Sequence, residues 1–218
     1  MPMLPYLNRP IPDRLAAVDL AVKNALADPD LLTALTAWSY DAAKLNAGQA
    51  LHDAALALHL DTDRERGEAV SATAALHSAR DAAEKTYMQH VKVARVALDD
   101  PGLRRDLGLD GPREKALLPW LDQARNFYRS ALAKPDVVTA LTAFGMDALT
   151  LQAGADALDA VYAAHNARAD ESGEAQSSTE ARDAALAAMD RWMGDFLRVA
   201  RVAFEDDPQQ LERLGIQV

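Results

Sequence analysis

Residues 29–48 read PDLLTALTAWSYDAAKLNAG and residues 135–154 read PDVVTALTAFGMDALTLQAG, one pattern written twice at an offset of 106. The same offset pairs Asp53 with Asp159, His59 with His165, Gly67 with Gly173, and the VARVA of 93–97 with the VARVA of 199–203. One residue is then inserted, and Leu107, Gly108 and Leu109 match Leu214, Gly215 and Ile216. Self-similarity of this extent is read before secondary structure, because a missed repeat misreads the whole fold. The chain therefore reads as a tandem duplication, with one repeat over 13–111, a second over 119–218, and a proline-rich arm over 1–12.

Composition assigns the repeat to a fold class. About a fifth of the 218 residues are alanine, the best helix former, and aromatic residues make up only 6%. An all-α protein follows. The expected architecture is a tandem duplicated antiparallel helical bundle with pseudo-twofold symmetry, the two repeats packed as one body; the alternative is two separate bundles on a hinge at Asp110 to Pro119. The absence of cysteine excludes disulfide frameworks, thiolate zinc sites and cysteine nucleophiles. A formal charge of −10 argues against nucleic acid and anionic membrane surfaces, both of which need a basic footprint. Charges interrupt every apolar run, so no membrane span is expected. Prolines at 2, 5, 10 and 12 disrupt any secretory signal and predict an extended arm that packs along the body or, in the alternative, reaches a partner. The expected setting is cytoplasmic.

A shorter echo punctuates the helices. A basic residue, a spacer, Ala with Leu or Phe, an acidic or polar pair and then Pro recur at Lys23 to Pro29, Arg95 to Pro101, Arg129 to Pro135 and Arg201 to Pro208. Acidic residues there cap the next helix, and Pro takes its first turn, where no N–H is missed. Gly108, Gly145 and Gly215 fit the left-handed position that closes a helix, and Ser39 takes that place in the remaining copy. The map for each repeat is a helix over 13–27 or 119–133 and a short helix over 30–38 or 136–144. A third helix is capped by Asp41 or Asp147 and reaches 62 or 168. A turn at 64–67 or 170–173 then leads to a long fourth helix, antiparallel to the third. Gly111, Pro112 and Pro119 mark a boundary between the repeats. Trp38, Trp120, Phe127, Tyr128, Phe144, Trp192 and Phe196 are expected to fill gaps in an alanine-rich core.

No catalytic constellation emerges. No Glu has a His three residues later, as a di-iron bundle would require. Asp61, Asp63 and Glu65 begin a calcium-loop pattern, but Arg66 and Ala72 stand where glycine and glutamate are needed. The remaining candidates are paired by the repeat. His59 and His165 could bind a metal or a ligand carboxylate if symmetry brings them together. Asp53 and Asp159 lie six residues earlier, about 240° around the helix, which separates them from those histidines. Arg95 and Arg201, inside VARVA, could clamp an anion or bridge to a carboxylate such as Asp28 or Asp99. His52, His77 and His90 have no counterpart in the other repeat, which favours surface or core-edge roles.

The DP step, the LL-like pair, the LG and a duplicated half closed by VARVA resemble a group of alanine-rich bacterial helical proteins with a duplicated unit of about 100 residues. That resemblance spans nearly the whole chain and implies a shared fold, with no activity, cofactor or site residue attached. The expected function is a non-catalytic interaction or structural protein that associates with itself or another protein and uses no cofactor. The alternative is a small-molecule or metal binder with a site between the two repeats near His59 and His165, and an enzyme of unrecognised type stays open, since convergent sites need no local motif.

Overall fold

The structure, a computed structural model, describes residues 4–216. Among the described residues it is all-helical, in the order α1 (Leu4–Leu7), α2 (Ile11–Ala27), α3 (Pro29–Thr36), α4 (Ala42–Ala97), α5 (Pro101–Asp106), α6 (Leu117–Leu132), α7 (Pro135–Thr142), α8 (Ala148–Ala203) and α9 (Gln209–Arg213).

The punctuation acts as its chemistry requires. Asp28 ends α2 and caps α3, accepting the Asp30 and Leu31 N–H groups at 3.0 and 3.4 Å. Asp41 accepts from the Lys44 N–H at 2.9 Å, and Asp147 from the Thr150 N–H at 2.8 Å. The Thr150 backbone bond to Asp147 holds its carboxyl below the usual range. Ser39 (φ 64°) and Gly145 (φ 78°) adopt the left-handed conformation after α3 and α7. Beyond them the Tyr40 and Met146 N–H groups reach back to the Leu35 and Leu141 carbonyls at 3.0 and 3.1 Å. Gly108 (φ 61°) and Gly215 (φ 76°) close α5 and α9 in the same way.

Three expectations are corrected. The arm is not extended: residues 4–7 form a helical turn, α2 begins at Ile11, and Tyr6 is buried in the core; residues 1–3 lie outside the described residues. Pro119 does not break the chain between repeats, because α6 begins at Leu117 and Pro119 sits in its first turn, where proline is tolerated. The turns at 64–67 and 170–173 do not form. Instead α4 and α8 each run unbroken for 56 residues. A lone glycine in a helix costs about 1 kcal/mol and does not end it. The segment DTDRERG is held in register by Arg64, which bonds Asp61 at 2.6 Å and Glu65 at 2.5 Å.

Helix continuity redistributes the chain. One compact unit contains the chain up to Arg66 together with Glu174 onward; the other is Gly67–Gly173. Neither unit coincides with residues 13–111 or 119–218, because one joins two separate stretches of chain and the other is the continuous stretch between them. Within the first unit Gly48 lies against Trp192, and the Thr62 hydroxyl lies 3.0 Å from that of Ser178. Antiparallel packing is therefore present, but it joins α4 to α8 rather than two helices of one repeat.

Each unit has its own core. The first gathers Leu15, Val18 and Val22 of α2 with Leu45, Met189, Phe196 and Leu214. The second gathers Trp120, Phe127 and Tyr128 of α6 with Tyr87, Val91, Leu151 and Val161. Trp38 and Phe144, expected as core residues, are 51% and 53% exposed.

Gly67 and Gly173 are exposed, have ordinary helical backbone, and would meet nothing within 4 Å on gaining a Cβ. Gly67→Ala and Gly173→Ala should each stabilise the protein by about 0.5–1 kcal/mol in denaturant unfolding. A loss of stability would show that these glycines sit in a turn.

Candidate functional site

A grouping of polar side chains lies in the first unit, where α2 meets the beginning of α4. Gln49, His52 and Asp53 stand at positions i, i+3 and i+4, which places them on one helical face. Asp19 and Lys23 face them from α2 at a spacing of four. These residues and His59 line a groove of about 630 Å³, flanked by Leu15, Leu56 and Leu60.

Its polar network is specific. Gln49 Nε2 donates to Asp19 Oδ1 and to Asp53 Oδ1, each at 3.0 Å. His52, only 7% exposed, approaches Asp53 Oδ1 at 2.8 Å through Nδ1. The hydrogen bond from His52 is the main cause that lowers the Asp53 carboxyl below its ordinary range. An ionised carboxylate only accepts, so His52 Nδ1 is the donor in this contact. The Lys23 ammonium, 2.7 Å away, is the main cause that lowers Asp19. Two buried polar atoms lack a protein partner: Gln49 Oε1 and His59 Nδ1. The lining contains no hydroxyl or thiol, so the Asp53–His52 pair has no such nucleophile to activate. The arrangement suits binding.

The sequence candidates separate. His59 lies in the first unit and His165 in the second. Among the described residues, neither belongs to a set of three His, Asp or Glu donors within reach of one metal ion. Asp53 borders the same groove as His59 despite the angle between them around the helix, because the groove is wide and Asp53 stands at its exposed rim. Arg95 is a helix tie: its guanidinium donates twice to the Leu109 carbonyl, at 2.9 and 2.5 Å. Its counterpart Arg201 is exposed in the first unit. Asp28, offered as their partner, pairs instead with Arg213. Neither arginine therefore reaches the carboxylates expected of it.

At the matching positions of the second unit the chemistry differs. Arg125 stands for Asp19, Leu158 for His52, Ala155 for Gln49 and Tyr162 for Leu56. Arg125 bonds Asp159 at 2.8 Å and lies 4.9 Å from the Tyr162 ring centre. Charge pairing and an aromatic side chain satisfy this face internally. His90, another histidine without a counterpart, is half-buried and meets the Tyr128 hydroxyl at 3.0 Å, and burial lowers its pKa. Gln49 and His52 are the site residues that repeat-based reasoning overlooked, because it favoured positions shared by both halves. Their signal was the Gln–His–Asp spacing on one helical face.

His52→Leu supplies the residue found at the matching position of the second unit and removes the main cause of the low Asp53 pKa. Carboxyl NMR titration should then show the Asp53 midpoint moving up toward the ordinary aspartate range. The stabilisation associated with that depressed pKa is present above the unfolded-state value and disappears as pH falls through the folded-state value. An unmoved midpoint would show that His52 does not hold the carboxylate.

Comparison with protein-family models, curated proteins and solved structures finds no match to this chain.

Proposed function

We propose that this chain is a non-catalytic helical protein that works by association, with a second copy of itself or with another protein, and that Trp38 and Phe144 anchor the contact. The supporting observation is their shared exposure, 51% and 53%, at matching positions of the two segments. Each precedes a left-handed closing residue, Ser39 or Gly145, so the exposed aromatic is carried on a defined turn. Exposed aromatics on defined backbone are typical energetic centres of protein contacts, since they bury much area and lose little side-chain entropy. The proposal includes a tandem duplication with pseudo-twofold symmetry, with repeats at 13–111 and 119–218, and a cytoplasmic setting. Equal lengths of α3 and α7, and of α4 and α8, support the duplication. Among the described residues no helix is long and apolar enough to cross a membrane.

Light scattering after size-exclusion chromatography tests the self-associating form. Wild-type mass should rise with concentration over the micromolar range, and Trp38→Ser with Phe144→Ser should lower the association constant at least about tenfold, as expected for loss of a contact centre. A wild-type chain that stays monomeric throughout removes self-association.

A second reading, a small-molecule binder, is favoured by the first-unit groove. Its unpartnered Gln49 Oε1 accepts a hydrogen bond, and Asp53 carries a negative charge not answered by Lys23, which is paired with Asp19. Leu15, Leu56 and Leu60 add apolar wall. That combination fits a primary ammonium on a short alkyl chain. Titration with hexylammonium should move the NMR signals of Gln49, His52 and Asp53 saturably, with weaker binding in Asp53→Asn. Unmoved signals at millimolar hexylammonium would remove this reading.

A further inference from the structure

The composite units pose a question of recognition. The first part of each repeat, comprising the α2 or α6 helix and the beginning of α4 or α8, packs against the last part of the other repeat. A chain that turned at 64–67 and 170–173 would instead pack each first part on its own last part, so the side chains must favour the unbroken helices and composite units over that alternative. Residues at matching positions supply three independent criteria.

The first is steric. In the first unit Val22 and Gly48 accompany Trp192, whose indole occupies the space a Cβ on Gly48 would take. In the second unit the matching trio is Tyr128, Gly154 and Thr86, and here the Tyr128 ring occupies the space beside glycine. Each unit therefore carries one large aromatic at this layer, from α8 in one case and from α6 in the other. Pairing each first part with its own last part would gather Val22, Gly48 and Thr86 in one bundle and Tyr128, Gly154 and Trp192 in the other. One bundle would contain a void, and the other would force two aromatics into space for one.

The second is charge at the ends of α2 and α6. Asp28 pairs with Arg213 of α9, and Lys134 pairs with Asp106 of α5 at 2.6 Å. These are matching positions with the signs reversed. Pairing within a repeat would set Asp28 against Asp106 and Lys134 against Arg213, two like-charged contacts in place of two attractive ones.

The third is a buried ion. Asp190 is 8% exposed and pairs with Arg14 of α2. The residue matching Arg14 is Trp120. Pairing within the second repeat would leave the Asp190 carboxylate facing an indole, and an unpaired buried charge is strongly destabilising.

We infer that Val22, Trp192, Tyr128 and Thr86, with the reversed pairs Asp28–Arg213 and Lys134–Asp106 and the ion pair Arg14–Asp190, form a recognition code. The code makes the first part of each repeat accept the last part of the other and reject its own. Size, charge sign and buried-charge pairing all select the same partner. The inference goes beyond association through Trp38 and Phe144 and does not depend on it.

Moving the aromatic within the full chain tests the code. Thr86→Trp with Trp192→Thr should lower the melting temperature by on the order of 10 °C or more, through a void at Gly48 and crowding at Gly154. Adding Val22→Tyr and Tyr128→Val should recover most of that loss. Pairing within repeats requires the opposite order, with the double variant stable and the quadruple variant impaired. That order overturns the inference, as does a quadruple variant no more stable than the double. Direct proximity gives a second test, because the native chain has no cysteine. Oxidation of Thr62→Cys/Ser178→Cys should yield a crosslinked monomer, and Thr62→Cys/Ala72→Cys should yield none. Efficient crosslinking of the 62/72 pair, or a 62/178 crosslink found only between chains, overturns it.

Discussion

The constraint on which the structure depends is the continuity of α4 and α8 past Gly67 and Gly173. A helix that does not turn cannot fold back on itself, so its second part must find a packing partner elsewhere in the chain. The alternative was a polar interhelix loop, and the local energetics show why it is absent. Ending a helix and starting another leaves four N–H and four C=O groups to be satisfied. The glycine costs about 1 kcal/mol, while Arg64 ties Asp61 and Glu65 across the segment. No proline or N-capping exchange intervenes to reverse that balance.

From continuity follows the division of labour in the cores. Alanine-rich helices approach closely but bury little area each, so the large side chains decide how well a bundle holds together. The first unit clusters Tyr40, Trp192 and Phe196, the last two stacked at a centroid separation of 5.3 Å, in a core that also buries Tyr6 and Phe204. The second draws them from Tyr87, Trp120, Phe127 and Tyr128. Glycines at 48 and 154 provide the approach in both, although the ring arrives from different helices. The close approach at glycine is thus met in both units, while the side chain that fills it comes from α8 in one and from α6 in the other.

Much of this was legible in the amino-acid sequence, and the boundary of legibility has a physical cause. Caps at Asp28, Asp41 and Asp147, and left-handed residues at Ser39, Gly108, Gly145 and Gly215, are decided within a few residues of backbone. Local chemistry is enough to read them. The turns at 64–67 and 170–173 were misread because a charged, glycine-bearing stretch has the same composition whether it is a loop or an exposed helical surface. Pairing of the long helices is non-local, and its signals lie in the differences between repeats rather than in their identities. The same bias toward identity drew attention to His59 and His165 and away from Gln49 and His52. It also placed Trp38 and Phe144 in the core, where size alone suggested they belonged.

Divergence between the two segments separates the functional readings. The turn carrying Trp38 keeps the geometry of the turn carrying Phe144 even though its left-handed position holds serine, a conformation that costs a non-glycine residue about 1–2 kcal/mol. Tolerating that strain keeps an exposed aromatic on the same backbone in both units. The groove has no such parallel, since Arg125 and Tyr162 satisfy the matching face that Asp19 and Leu56 leave open. On the proposed reading, a function that engages both units in the same way would act through the turns. A function served by one site per chain would instead draw on the groove of the first unit, lined by Gln49 and Asp53 together with Leu15, Leu56 and Leu60.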